Sequence, residues 1–127
     1  MNYAIIEDWK KEGILLNGPA TIDEMADCER FLAFIFSEDF KQFYLVCNGF
    51  AELVMDSKML TLSSILNIKW QNWGQDFISV ADYNIGSTSI GYIKGKKGIY
   101  RDYDEKKICD NFNEFLKHWQ KETFVYI

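Results

Sequence analysis

Residues 19–50 read PATIDEMADCERFLAFIFSEDFKQFYLVCNGF, and this stretch decides the fold. Thr21 is a favourable helix N-cap, and Glu24 follows three residues later, which is the spacing of a capping box. Asp23 adds negative charge in the first turn, where the helix dipole favours it. The apolar residues that follow recur at helical spacing: Met25, Cys28, Leu32 and Ile35. The pattern predicts a first amphipathic helix.

A second amphipathic helix is predicted directly after the first. Ser37 is a favourable N-cap, and Glu38 and Asp39 place acidic charge in the first turn. One buried face is indicated by the spacing i, i+3, i+4, i+7 of Phe40, Phe43, Tyr44 and Cys47. Gly49, in the pair Asn48-Gly49, is expected to take the left-handed conformation that ends a helix.

The C-terminal part of the chain contains a third helix signal, in residues 108–119, ICDNFNEFLKHW. Asn111 is a good cap, and Glu114 lies at the capping-box distance. An apolar stripe for packing against a core is formed by Ile108, Phe112, Phe115, Leu116 and Trp119.

Between these helical segments the sequence reads as β-structure. Residues 77–82, 89–93 and 99–103 are strand-like, and turn-rich connections of hairpin length follow the first two. These three strands are predicted to form an antiparallel meander.

The remaining segments are less distinct. Residues 3–11 predict a short helix, residues 51–55 a strand, and residues 60–73 fit a helix whose apolar face Trp70 and Trp73 extend. Helices at the N- and C-terminal ends packed on a central, mainly antiparallel β-sheet define an α+β fold. At 127 residues, the chain is predicted to form a single domain, residues 1–127.

The order and spacing of these motifs resemble the SUKH superfamily, specifically its Smi/Knr-type domain. The entry Pro19-Ala20-Thr21, the stop Asn48-Gly49-Phe50 and the last helix, residues 111–116, match the family pattern. Phe36-Ser37 stands where the family has Leu-Pro, a mild departure because serine also starts helices well. The resemblance implies an α+β fold and a non-enzymatic, protein-binding role. It also implies a likeness to bacterial immunity proteins, which bind and neutralise a cognate toxin, often a nuclease of a polymorphic or contact-dependent system.

Charge and composition restrict the classes of partner and compartment. The net charge of −5 disfavours nucleic acid and anionic membranes and favours a basic protein. No apolar run approaches the length of a membrane span, no secretory signal is visible, and three cysteines is an odd number. We therefore expect a cytoplasmic protein without disulfides, structural metal or cofactor.

Few residues suggest catalysis. Cys28, Cys47, Cys109 and His118 lack the spacing of a zinc site, and small core residues are the better interpretation of Cys28 and Cys47. Asp82, Asp102 and Asp104 are compatible with a carboxylate-dependent hydrolase or a Ca²⁺ site, although a solvated loop explains them more simply.

The sequence indicates one candidate surface for a protein partner. Strand alternation places acidic and aromatic residues at neighbouring strand ends: Asp82, Tyr83, Asp102, Tyr103, Asp104 and Glu105. Trp70 and Trp73 are the next candidates, because tryptophan often anchors interfaces. The leading hypothesis is an immunity protein for a basic toxin, and the alternative is a regulatory scaffold of the cell-wall-synthesis-regulator type. The oligomeric state stays open.

Overall fold

The computed structural model describes residues 3–121. Within that range, helices lie at both ends of the chain and one helix interrupts the strands, so the α+β prediction is confirmed. The elements in chain order are α1 (Ala4–Glu12), α2 (Ile22–Leu32), α3 (Glu38–Tyr44), β1 (Leu60–Leu62), α4 (Ile65–Gln71), β2 (Phe77–Tyr83), β3 (Thr88–Ile93), β4 (Ile99–Arg101), β5 (Lys107–Cys109) and α5 (Phe112–Gln120).

The sheet is an antiparallel meander in the order β1-β2-β3-β4-β5. Its three central strands are those predicted from the sequence, although β4 ends two residues early. The edge strands β1 and β5 were missed because three residues carry too little alternation to be recognised. Gly91 in β3 lies against β2, where a Cβ atom would be 1.9 Å from the carbonyl oxygen of Ile78. A side chain at this position would therefore force β3 away from β2.

Helices α2 and α3 begin where the sequence predicted. Thr21 Oγ1 accepts the Glu24 amide at 3.0 Å, and Glu24 Oε1 accepts the Thr21 amide at 2.9 Å, which completes the capping box. Ser37 is the N-cap of α3, but its hydroxyl donates to Asp39 rather than accepting a helix amide.

The predicted end of α3 at Asn48-Gly49 is wrong, because the helix stops at Tyr44. Gly49 has a φ of +73°, but it serves a close approach instead: a Cβ there would lie 2.6 Å from the carbonyl oxygen of Ser63. Asn48 also contributes to this junction, since its Oδ1 accepts the Ile65 amide at 2.8 Å. The Asn48-Gly49 corner therefore holds the chain that follows α3 against the start of α4.

Two further predictions need correction. Residues 51–55 form turns rather than a strand, and only Phe50 pairs as a strand residue, in an isolated bridge with Leu16. Residues 60–73 divide into β1 and α4, because Ser64 Oγ accepts the Asn67 amide and starts a new helix. Trp70 and Trp73 do not extend a buried face, since both indoles are exposed.

An aromatic cluster joins α3 to α5 in the core. The rings of Phe40 and Tyr44 stack at 4.2 Å, and Phe112 meets Phe40 at 5.1 Å and Phe43 at 5.5 Å between ring centroids. Asn111 Oδ1 accepts the Glu114 amide and starts α5 as predicted. Every residue of the predicted C-terminal apolar stripe is buried.

A buried carboxylate ties the two ends of the described chain together. Asp56 is only 5% exposed, and its Oδ2 accepts the indole N–H of Trp9 at 3.1 Å and that of Trp119 at 2.9 Å. Its Oδ1 accepts the amides of Lys58 and Leu60, each at 2.9 Å. One side chain therefore fixes α1, α5 and the start of β1 relative to each other.

Candidate functional site

The sheet brings most of the predicted acidic residues to one end. The β2–β3 and β4–β5 turns lie at the same end because every neighbouring strand pair is antiparallel. Ser89 in β3 bonds to an acidic residue on each side: its hydroxyl donates to Asp82 at 3.1 Å, and its amide donates to Asp102 at 3.0 Å. We call the set Asp82, Asp102, Tyr103, Asp104 and Glu105 the acidic sheet end.

The β4–β5 turn is held by a two-point ion pair. The guanidinium of Arg101 donates to both carboxylate oxygens of Asp104, each at 2.8 Å. This hydrogen bonding lowers the pKa of Asp104 to about 2. The same guanidinium lies 4.7 Å from the ring centroid of Tyr103, whose side chain is exposed. The turn is thus pre-organised by the hydrogen bonds of Asp102 and Asp104, whereas the adjacent Glu105 has an exposed side chain.

Tyr83 differs from its predicted neighbours. Its side chain is half-buried, and its ring makes an edge contact with Trp119 at 5.6 Å between centroids. Tyr83 therefore packs toward the core, and Tyr103 is the aromatic residue that the acidic sheet end presents to solvent.

Exposed apolar side chains border the acidic sheet end, and sequence reasoning missed them. Met59 lies next to the β2–β3 turn, where its carbonyl oxygen accepts the Asn84 amide at 3.0 Å, and the side chain of Ile85 is 74% exposed. Six non-glycine residues in residues 3–121 have a positive φ, and four of them lie at this end of the sheet: Met59, Asn84, Ile85 and Glu105. In the three residues other than asparagine, which adopts this conformation readily, it costs roughly 1–3 kcal/mol each. Backbone strain is therefore concentrated at this end, at positions that no glycine marks in the sequence.

A second exposed surface lies on α2, on α4 and on the residues directly after α4. Leu66, Trp70 and Trp73 are 59%, 60% and 65% exposed. The half-buried Phe31 packs against both indoles, at 5.2 Å and 4.7 Å between ring centroids. Lys69 lies 4.9 Å above the rings of Phe31 and Trp70. We call Phe31, Leu66, Trp70 and Trp73 the tryptophan face.

The family is decided by a match that covers most of the chain. The model of the SMI1 / KNR4 family (SUKH-1) matches residues 19–118. The chain belongs to the SMI1 / KNR4 family (SUKH-1). The resemblance read from the motifs is thereby confirmed, and membership supports a non-catalytic domain. A search of curated proteins found no significant match.

The matched SUKH-1 region contains both exposed surfaces. It runs from the entry into α2 to the last turn of α5, so it includes the acidic sheet end and the tryptophan face. Helix α1 lies before it and is attached through Trp9 and Asp56.

The thiols and the histidine of this SUKH-1 domain are poorly placed for nucleophilic catalysis. Burial raises the pKa of the Cys28 and Cys109 thiols to about 12 and that of Cys47 to about 11. All three are buried, as predicted for Cys28 and Cys47, whereas His118 lies 3.7 Å from Glu114 on α5. Within residues 3–121, no three His, Cys, Asp or Glu side chains are grouped to hold a metal ion. In the same range, the helices are too short and too polar to cross a bilayer.

Proposed function

We propose that this SUKH-1 domain is an immunity protein that acts in the bacterial cytoplasm by binding a basic toxin domain. One observation carries the proposal: the acidic sheet end presents hydrogen-bonded carboxylates and the exposed Tyr103, with the exposed Ile85 beside them. The likeness to bacterial immunity proteins supports the same role. Three buried thiols suit a reducing compartment.

The proposed mechanism is occlusion of the toxin. Opposite charge steers association and raises its rate, and a net charge of −5 provides such attraction. Because Ser89 and Arg101 already fix the carboxylates, little side-chain freedom is lost on binding. The apolar residues beside them supply the desolvated contacts that slow dissociation.

The first experiment is co-expression with the product of the adjacent gene. We expect rescue of growth and co-purification in a complex. A neighbour that is not toxic, together with a host protein that binds the same surface, would instead favour a regulatory scaffold. A melting temperature that rises with added divalent metal would favour the hydrolase hypothesis.

The second experiment locates the interface with two matched charge reversals. Glu105→Lys changes the acidic sheet end, whereas Asp76→Lys makes the same change in net charge in the exposed segment before β2. We expect Glu105→Lys to slow association by about threefold or more at low ionic strength and to flatten its salt dependence. Asp102 and Asp104 are poorer choices, because their hydrogen bonds hold the turns. Equal effects of the two reversals would move the interface away from this end.

A further inference from the structure

Three apolar side chains beside the acidic sheet end are exposed although their backbone is strained. Leu53, Met59 and Ile85 have φ angles of +62°, +68° and +55°, and Leu53 is fully exposed. A positive φ is found in a few per cent of non-glycine residues and is least favourable for bulky or β-branched ones. In residues 3–121, however, it occurs in three of the twelve large apolar residues whose side chains are exposed. Strain and apolar exposure therefore coincide more often than two unrelated features would.

The turns that carry Leu53 and Ile85 favour a different amino acid at these positions. Leu53 is the third residue of the turn 51–54, and Ile85 is the second residue of the turn 84–87. In each turn the amide of the last residue donates to the carbonyl oxygen of the first, at 3.3 Å and 3.2 Å respectively. Ile85 and the following Gly86 both have a positive φ, the geometry for which Asn-Gly is the preferred pair, and asparagine is likewise favoured over leucine at the third position. Leucine and isoleucine therefore lower the stability of the isolated domain, while their exposed side chains gain little packing.

Strand β1 links the turn 51–54 to the acidic sheet end. Thr61 in β1 donates its hydroxyl to the carbonyl oxygen of Val54 at 2.8 Å, and it is paired with Asp82 of β2. Directly paired side chains lie on the same face of a sheet, so the turn lies beside the face that presents Asp82. From β1 to β4 the sheet is roughly 14 Å wide, whereas an interface of standard size buries roughly 800 Å² on each partner. One partner therefore has room to cover the turn and the acidic sheet end together.

The charge around these residues is negative. The loop 51–59 carries Glu52, which is exposed, Asp56, which is buried, and Lys58, whose ammonium donates to the Trp119 carbonyl oxygen at 2.7 Å. Together with the acidic sheet end and the two cations that flank its turn, the exposed and half-buried side chains comprise five carboxylates and three cations: Glu52, Asp82, Asp102, Asp104, Glu105, Lys58, Arg101 and Lys106. The surface that fits here is therefore an apolar patch bordered by lysine or arginine.

We propose that Leu53 and Ile85 are the apolar anchors with which the domain holds its basic protein partner, and that the strained turns are kept because they present these two side chains. The inference rests on the proposed immunity function and assigns the contacts that hold the toxin once it is bound. The carboxylates bring the partner to this end of the sheet, and the anchors then enter an apolar pocket on it. Because hydrogen bonds fix both turns before binding, little backbone freedom is lost in the complex.

The first test measures the strain in the isolated domain. Leu53→Asn and Ile85→Asn should each raise the melting temperature by about 2 °C or more, because asparagine adopts a positive φ more readily. Ile35→Asn is the matched control: Ile35 is also exposed, but its φ is not positive, and it lines a cavity with the β3–β4 turn at the other end of the sheet. Melting temperatures of both variants at or below that of the wild type, or an equal rise in the control, would overturn the inference.

The second test measures the complex with the toxin domain encoded by the adjacent gene, by surface plasmon resonance at physiological salt. Leu53→Asn combined with Ile85→Asn should raise the dissociation rate about tenfold or more and leave the association rate within about twofold, because apolar anchors act after charge steering. Ile35→Asn should change neither rate, and Glu105→Lys should mainly slow association.

The binding results distinguish failure of the anchors from failure of the immunity function. A wild-type complex whose dissociation rate is unaffected by the double substitution would overturn the anchors and leave the immunity function in place. Absence of any complex with the wild type would overturn the immunity function, and the anchors with it.

Discussion

Removal of the Asp56 carboxylate should be among the most destabilising single changes in this domain. Asp56→Ala removes the carboxylate that accepts the indole N–H groups of Trp9 and Trp119 and the amide of Leu60, and all three residues are buried. An unsatisfied buried donor costs roughly 1–3 kcal/mol, so the three together cost about 3–6 kcal/mol after allowance for relaxation. This is a large share of the roughly 5–15 kcal/mol that stabilises a typical domain.

Asp56→Asn separates lost hydrogen bonding from lost volume. Asparagine has nearly the same shape, but one carboxylate oxygen becomes an amide that cannot accept, so two of the four donors face another donor. We expect a loss close to that of Asp56→Ala, measured by urea unfolding with far-UV circular dichroism. The control is Asp76→Asn, whose side chain is exposed and whose free energy of unfolding should change by less than about 0.5 kcal/mol. A loss below about 1 kcal/mol for both Asp56 variants would refute this account of the buried carboxylate.

Other predictions concern the core, the sheet and the thiols. Phe112→Ala should cost roughly 3–5 kcal/mol in urea unfolding because its ring is fully buried, whereas Tyr103→Ala should leave stability nearly unchanged; a small effect at Phe112 would contradict the packing of α5. Gly91→Ala should be severely destabilising in thermal melts, because its Cβ would overlap the carbonyl oxygen of Ile78. Gly18→Ala has open space and should be neutral or slightly stabilising, so equal losses would argue against a steric cause. Thiol titration should count three free thiols in denatured, unreduced protein and almost none in native protein near pH 8. The thiols of the unfolded chain lose their protons near pH 9, whereas those of the native protein keep theirs until about pH 11 or 12. The free energy of unfolding should therefore fall as the pH rises from about 9. A free energy of unfolding that stays constant between pH 9 and 11 would contradict this.

The sequence predicted those parts of the fold whose signals are local. The capping residues Thr21 and Asn111 were recognised because a cap acts within three residues, and the apolar stripe of α5 because its period is regular. The end of α3 was misplaced because Gly49 was assigned to a helix stop, whereas the helix ends at Tyr44 and a Cβ atom at Gly49 would overlap the carbonyl oxygen of Ser63. That contact joins distant parts of the chain, and no local pattern reveals it.

The candidate site likewise combines features that local sequence signals indicate with features that depend on contacts between distant parts of the chain. Strand alternation predicted Asp82 and Asp102 at neighbouring strand ends, whereas β3 lies between them and its Ser89 bonds to both. The alternation gave no sign that Tyr83 would turn toward Trp119. The apolar neighbours Met59 and Ile85 were not anticipated, because their backbone conformation depends on how β1 and the β2–β3 turn meet.

Because the four tryptophans lie in two different environments, the intrinsic fluorescence of the protein can report on both. Trp9 and Trp119 are enclosed and donate to the same carboxylate, whereas Trp70 and Trp73 stand in solvent. A soluble quencher such as acrylamide should therefore extinguish the emission of one pair and spare the other. The emission that acrylamide quenches comes from Trp70 and Trp73, so it reports any molecule that covers them. The protected emission comes from Trp9 and Trp119, so it reports the loss of the native core. Neither measurement needs an attached dye.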